Sequence, residues 1–153
     1  MKVAIVGGGV SGITLSILLA DFFDVTVFEK NNRILKKLLV TGNGRCNFSN
    51  EIMTRENFHG NDKFLDEFIK SADLRAGENF LNSIGIVSTT DERGRKYPMS
   101  LQANSVVDAY LSAVSEKNIS IRLDTAVEDI AVKNNKFIIN HDYTCLLYTS
   151  LMA

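Results

Sequence analysis

Lys2-Val3-Ala4-Ile5-Val6-Gly7-Gly8-Gly9-Val10-Ser11-Gly12-Ile13 stands at the start of the chain, and its reading decides the fold. Lys2–Val6 is a short apolar run suited to a parallel strand buried on both faces. Gly7–Gly12 is a turn. From Val10 to about Phe23 the residues Ile13, Leu15, Ile17, Leu18, Leu19 and Phe22 nearly encircle a helix, the pattern of one packed under a sheet. Val25–Phe28 is a second, β-branched strand, closed by Glu29. Strand, glycine turn, helix and strand within about thirty residues form a βαβ unit with a right-handed crossover, hence an α/β domain.

Gly7-Gly8-Gly9-Val10-Ser11-Gly12 matches G-x-G-x-x-G. Gly7 permits the tight exit from the strand, Gly9 lets the backbone approach a pyrophosphate, and Gly12 allows close helix–strand packing. The helix start, at Val10 and Ser11, offers free N–H donors and a partial positive charge of about +0.5, which suits a diphosphate. Such a turn alone is weak evidence. Here it lies between a strand and a helix, and Glu29 ends the next strand seventeen residues beyond Gly12. That acid is placed to accept a ribose 2′-hydroxyl and disfavours a 2′-phosphate in this site. Dinucleotide binding is the reading.

Outward from this unit, Lys30–Asn50 is a basic, loop-rich stretch. Asp62–Ala72 reads as a helix through Leu65, Phe68, Ile69 and Ala72, and a second spans Ala76–Ile84 with Gly85 as its C-cap. Arg93–Pro98 reads as a polar turn leading to Ser100, an N-cap for a helix striped by Ala103, Val106, Val107, Tyr110, Leu111 and Val114. Ile119–Leu123 alternates as a strand, and Val127–Val132 with Lys136–Asn140 reads as a hairpin turned at Asn134-Asn135.

The 153 residues are 45% hydrophobic and 23% charged, with one proline, enough for one ordinary domain. A net charge of −1 lacks the basic excess of a nucleic-acid-binding domain. No apolar run reaches the roughly 18 residues of a membrane span, and no signal peptide is read at the N-terminus. Cys46 and Cys145, ninety-nine positions apart, make neither a disulfide framework nor a metal cluster, so a reducing cytoplasm is expected.

Thr41-Gly42-Asn43-Gly44-Arg45-Cys46-Asn47-Phe48-Ser49-Asn50 is a second, more specific glycine loop, preceded by Lys37-Leu38-Leu39. With Glu29-Lys30, with Asp91–Ser100 and with Ser105–Asp108, it resembles the signature of the HI0933-like flavoproteins, the aminoacetone oxidase or BaiN-type NAD(P)/FAD-dependent oxidoreductases. The resemblance covers residues 1–143. Leu35 stands where that family has glycine, and Ser16 where alanine or glycine is usual. The fold implied is a Rossmann-like FAD-binding domain of the two-domain flavoprotein type, incomplete here over residues 1–144. The resemblance implies cofactor contacts at Gly7, Gly9, Val10, Ser11, Gly12, Glu29, Lys30, Lys37 and the loop Thr41, Gly42, Asn43, Gly44, Arg45, Cys46 and Asn47. Val127 lies where related flavoproteins pair a backbone amide and carbonyl with the adenine edge; an ordinary core valine is the alternative.

The chemistry of the loop fits that reading. Glycines and asparagine let backbone approach a flat ring or phosphate, and Arg45 carries a permanent charged fork. It serves either as a pyrophosphate clamp or as a cation at the flavin N1–O2 edge. Cys46 reads as a small buried packing residue before a reactive thiol. His59 reads as a surface residue, Tyr97 as a packing tyrosine before an acid, and no residue is assigned as general acid or base.

By resemblance the activity is hydride transfer from NAD(P)H through FAD to a small unsaturated or carbonyl-containing substrate. An amine or aminoketone oxidase and a non-catalytic or tRNA-modification-related flavoprotein are the alternatives. The family also implies a substrate-covering domain and a further glycine-rich segment, so this chain alone is expected neither to hold FAD tightly nor to catalyse. Cys145-Leu146-Leu147-Tyr148-Thr149-Ser150 resembles a translated sequencing adapter, and residues 145–153 are expected to be non-native.

Overall fold

A computed structural model describes residues 1–71, 75–134 and 136–146. The chain divides into two compact units: Met1–Leu38 with Tyr110–Ala153, and Leu39–Ala109.

The first unit is built on a parallel sheet. Strand β1 (Lys2–Val6) leads through the glycine turn into helix α1 (Val10–Leu19) and strand β2 (Asp24–Phe28). β1 pairs in parallel with β2 from Lys2↔Asp24 to Val6↔Phe28, and β2 pairs in parallel with β6 (Ile119–Arg122). β2 is therefore central, and Val25, Val27 and Phe28 are buried, as an apolar run between two neighbours requires.

α1 is shorter than its apolar pattern suggests. It stops at Leu19, whose carbonyl accepts both Phe22 and Phe23 N–H at 3.0 Å, and Phe22 is 76% exposed. Ile13, Ser16 and Ile17 face inward, while Leu15 and Leu18 are exposed, so the helix is not buried all round. The Ser16 hydroxyl, wholly buried, donates to Ile13 O at 2.7 Å and is satisfied within its own helix.

A second sheet of this unit joins β7 (Ile130–Lys133), β8 (Lys136–Ile139) and β9 (Tyr143–Leu146) in an antiparallel meander. The expected hairpin forms with Asn134 at its turn (φ +50°); Asn135 lies outside the described residues. Its first strand begins at Ile130, not Val127. Phe28, Ile139, Tyr143 and Cys145 form a buried cluster, with Phe28 and Tyr143 edge to face at 5.1 Å and Tyr143 Oη donating to Thr26 Oγ1 at 3.0 Å. Non-native sequence is expected from Cys145, yet β9 runs through that point and buries Cys145, since a strand ladder uses main-chain groups that any residue carries. Residues 147–153 lie outside the described residues.

The second unit holds a small antiparallel sheet in the order β3 (Ser49–Asn50), β5 (Arg95–Pro98), β4 (Ser88–Thr90). The stretch read as a polar turn is thus a turn only from Asp91 to Gly94, and Arg95–Pro98 is the central strand. Helix α2 (Asp62–Ser71) begins as expected; its expected last residue, Ala72, lies outside the described residues. Helix α3 (Ala76–Ser83) is followed by Gly85 at φ +85°, the left-handed stop foreseen there.

Helix α4 spans Ala103–Ser115. It starts after Gln102 and not after Ser100; Ser100 Oγ instead accepts the Gln102 N–H at 3.3 Å. Ala103, Val106, Tyr110 and Ala113 are its buried stripe, and Leu111 is exposed.

Candidate functional site

In the first unit the glycines have separate reasons. Gly7 has φ +103°, a conformation L side chains rarely adopt, and its N–H donates to Phe28 O at 2.8 Å. A Cβ on Gly12 would lie 2.1 Å from Gly7 O, so close packing of turn on helix fixes glycine there. Gly9 is different. Its backbone is extended (φ −75°, ψ 178°), and a Cβ there would meet nothing within 4 Å. No atom of the described residues requires glycine at this position. Gly9, Val10 and Ser11 are exposed, and α1 has neither a side-chain cap nor an acid in its first turn. Among the described residues nothing accepts from the N–H of Gly9, Val10, Ser11 or Gly12; the first helical bond is Ile13 N–H to Gly9 O at 3.0 Å. The turn therefore presents a row of unmet donors at a helix N-terminus, which is the chemistry of an anion site.

Glu29 braces this turn from the side. Its Oε2 accepts the Gly8 N–H at 2.7 Å, and its Oε1 accepts Asn31 N–H at 2.8 Å and Asn31 Nδ2 at 2.5 Å. Burial works to raise its pKa, but the hydrogen bonds from Asn31 and Gly8 and the charge of Lys30 outweigh it and hold the carboxyl below its ordinary value. The acid foreseen as a ribose acceptor is thus already engaged with the loop. Three of the roughly four acceptor sites of a carboxylate are taken, which leaves room for one hydroxyl. Gly8 is held on its other side by Leu35, whose N–H donates to Gly8 O at 2.8 Å. Leu35 has φ +59° and a buried side chain, so this position holds a left-handed backbone.

Beyond β6 the chain returns to the acid: Thr125 N–H donates to Glu29 O at 2.9 Å, and Asp124 N–H to Asn31 O at 3.1 Å. Val127 follows outside any strand, its side chain packed on the Phe28–Ile139–Tyr143–Cys145 cluster. Among the described residues its own N–H and C=O have no partner.

The second unit contains the other glycine loop. Gly42 (φ +54°), Asn43 (φ +56°), Gly44 (φ +77°) and Cys46 (φ +58°) are all left-handed, and the turn is closed by Cys46 N–H to Thr41 O at 3.0 Å. A Cβ on Gly42 would lie 2.4 Å from Asn47 N, so its glycine is structural. Asn47 Nδ2 donates to Ser49 O at 3.1 Å and to Lys96 O at 3.0 Å, tying the loop to β5. Arg45 is exposed and lies over the ring of buried Tyr97 at 4.9 Å, a cation–π contact that leaves its hydrogen-bonding edge open. Cys46 is buried; burial pushes its thiol up, against the opposing hydrogen bond with Thr41, which favours the packing reading. Lys30, Lys37 and His59 are exposed. Asn31 was not singled out by sequence; nothing in a lone asparagine marks such contacts.

Among the described residues no group of three His, Cys, Asp or Glu could hold a metal ion, and no helix is long and apolar enough to cross a membrane.

Comparison with known proteins adds the lineage. A 3-dehydro-bile acid delta(4,6)-reductase of Clostridium scindens is 33% identical over 145 residues, which are 92% of this chain and 35% of that protein. The chain therefore spans about a third of that relative's length. The crystal structure of Thermovibrio ammonificans THI4 is similar with a TM-score of 0.59 at 17% identity, over 91% of this chain and 47% of that one. An open conformation of a flavocytochrome c3 fumarate reductase is similar with a TM-score of 0.58 at 16% identity, over 92% of this chain and 30% of that one. These two likenesses concern the fold, which is the Rossmann-like type of FAD-binding domains. The HI0933-like protein Rossmann domain matches residues 1–152, and the chain belongs to that family.

Proposed function

We propose that this chain supplies the FAD-binding part of an oxidoreductase, with residues 7–12 holding the pyrophosphate and Glu29 a ribose hydroxyl. The single observation that carries this reading is Gly9: it is a glycine with ordinary backbone, open space at its Cβ and unmet N–H donors beside it. A phosphate approaching the main chain is the reason left for the missing side chain. FAD is preferred over a nicotinamide for this site because the Thr41–Asn47 loop carries the flavoprotein signature. Arg45, which lies over the Tyr97 ring, is the cation for a phosphate or a flavin edge. When bound, FAD supplies two-electron hydride chemistry, with NAD(P)H as donor and a small unsaturated or carbonyl-containing molecule as acceptor. The reductase name of the Clostridium scindens relative supports the reductive direction. A cytoplasmic setting fits a nicotinamide-fed reaction.

Two variants test the site. Gly9→Ala keeps the melting temperature within a few degrees and weakens FAD or ADP binding by about tenfold or more, since only the ligand meets its methyl group. Gly12→Ala destabilises the fold itself by about 2 kcal/mol or more, because its Cβ would clash with the backbone of Gly7. Unchanged nucleotide affinity in Gly9→Ala refutes the pyrophosphate assignment. Anaerobic addition of NADH or NADPH to the flavin-loaded full-length parent of this chain bleaches its visible absorption if the donor assignment holds.

A further inference from the structure

Among the described residues β7 is an edge strand of its antiparallel sheet, and all four of its residues, Ile130–Lys133, are exposed. Its ladder with β8 decides which groups point outward. Asn140 N–H donates to Asp129 O at 3.0 Å, so Asp129 and Asn140 are a hydrogen-bonded pair, and by alternation so are Ala131↔Ile138 and Lys133↔Lys136. The N–H and C=O of Ile130 and Val132 therefore face away from β8, along an open edge. Their side chains share the sheet face of Ile139 and Phe137, which belong to or pack on the Phe28–Tyr143 cluster. Yet Ile130 is 52% and Val132 58% exposed. The other face carries an unbalanced charge. Lys133 lies directly across from Lys136, like charges that weaken a cross-strand pair, and among the described residues neither has an acidic partner. Asp129, on that same face just ahead of β7, has only a loose contact, 3.8 Å from Nδ1 of the exposed His141.

We infer that β7 pairs antiparallel with β7 of a second copy of this chain, joining two three-stranded sheets into one. With Ala131 against its own copy on a two-fold axis, Ile130 stands opposite the partner's Val132. These outward-facing residues then exchange both main-chain bonds, as a hydrogen-bonded antiparallel pair requires, and cover each other's side chains. The small Ala131 suits the closer, non-hydrogen-bonded position between them. This register also sets Asp129 directly opposite the partner's Lys133, once on each side of the axis, and so supplies the acid that the Lys133–Lys136 pair lacks. A shift of two residues either way puts both Asp129 and Lys133 opposite uncharged residues. The contact is short, which makes the dimer weak and concentration-dependent.

The test is sedimentation of the 153-residue chain at concentrations up to about 1 mM, with circular dichroism to check the fold of each variant. The wild type shows a monomer–dimer equilibrium that weakens in about 1 M salt, where the Asp129–Lys133 pairs are screened. Val132→Pro removes one outward N–H and no bond of the β7–β8 ladder, so it folds and stays monomeric. Asp129→Lys and Lys133→Asp each set like charges opposite one another and weaken the dimer by about tenfold or more. The two changes in one chain restore opposite charges and bring the affinity back to within about threefold of wild type. A wild-type chain that stays monomeric throughout, or a dimer indifferent to Val132→Pro, overturns the proposal. Should Val132→Pro unfold the chain, the charge exchange decides alone. Recovery in the double variant upholds the register, and a folded double variant that binds no tighter than either single one overturns it.

Discussion

Glu29 joins β2 to the glycine turn through a charge that is almost out of solvent, at 8% exposure. Its carboxyl binds a proton more weakly in the folded chain than in the unfolded one, because Gly8 and Asn31 donate to the ionised form. A group with a depressed folded pKa stabilises the fold above its unfolded value, near 4.5, and that contribution disappears as pH falls through the folded value. Glu29→Gln should therefore cost about 1–3 kcal/mol at pH 7, the worth of hydrogen bonds to a charged group, and the deficit should shrink below about pH 4.5. Urea unfolding of both proteins from pH 7 to pH 3 measures it; a deficit that stays constant with pH contradicts the assignment. The acid's position was legible from its distance to the turn. Its partners were not, because Gly8 and Asn31 become donors only through the path of loops that carry no periodic signal.

At the scale of elements, β1, α1 and β2 were readable because apolar periodicity and glycine punctuation agree there. The end of α1 and the small β3–β5–β4 sheet were not. Phe22 extends the apolar pattern but lies past the last turn, and strands of two to four residues such as Ser49–Asn50 and Arg95–Pro98 carry no alternation to count. The loop at Leu35 shows two local effects in conflict. Its left-handed backbone costs a leucine about 1–2 kcal/mol, while truncating its buried side chain forfeits about 2–5 kcal/mol. Leu35→Gly is accordingly expected to lower stability by about 1–3 kcal/mol, since burial outweighs strain. Thermal or urea unfolding decides the sign, and a stabilised variant would show that backbone strain is the larger effect.

At the scale of the molecule, the first unit is assembled from two distant stretches of chain, with residues 39–109 between them. Sequence showed Ile119–Leu123 as a strand but gave no hint that it flanks Val25–Phe28, because pairing such as Val25↔Ile119 depends on closing a long loop and not on local pattern. The last prediction follows from this closure. A chain ending at Lys117 leaves β2 with an open edge where Thr26 faced Ser120 and Phe28 faced Arg122. It also strips Phe28 of its cover by Ile139, Tyr143 and Cys145 and removes the Tyr143 hydrogen bond to buried Thr26. Fully burying one large apolar side chain contributes about 1.5–3 kcal/mol, so losing this cluster removes much of the about 5–15 kcal/mol by which a domain is stable. Amide exchange at Val25, Thr26 and Val27 should be strongly protected in the 153-residue chain and approach unfolded rates in the truncated one. Tyr143→Phe in the full chain is the finer control: it keeps the ring packed on Phe28, loses one buried hydrogen bond, and should cost only about 1–2 kcal/mol with protection of β2 retained. Protection of β2 that survives truncation would mean that β1, α1 and β2 hold together without the distant strands.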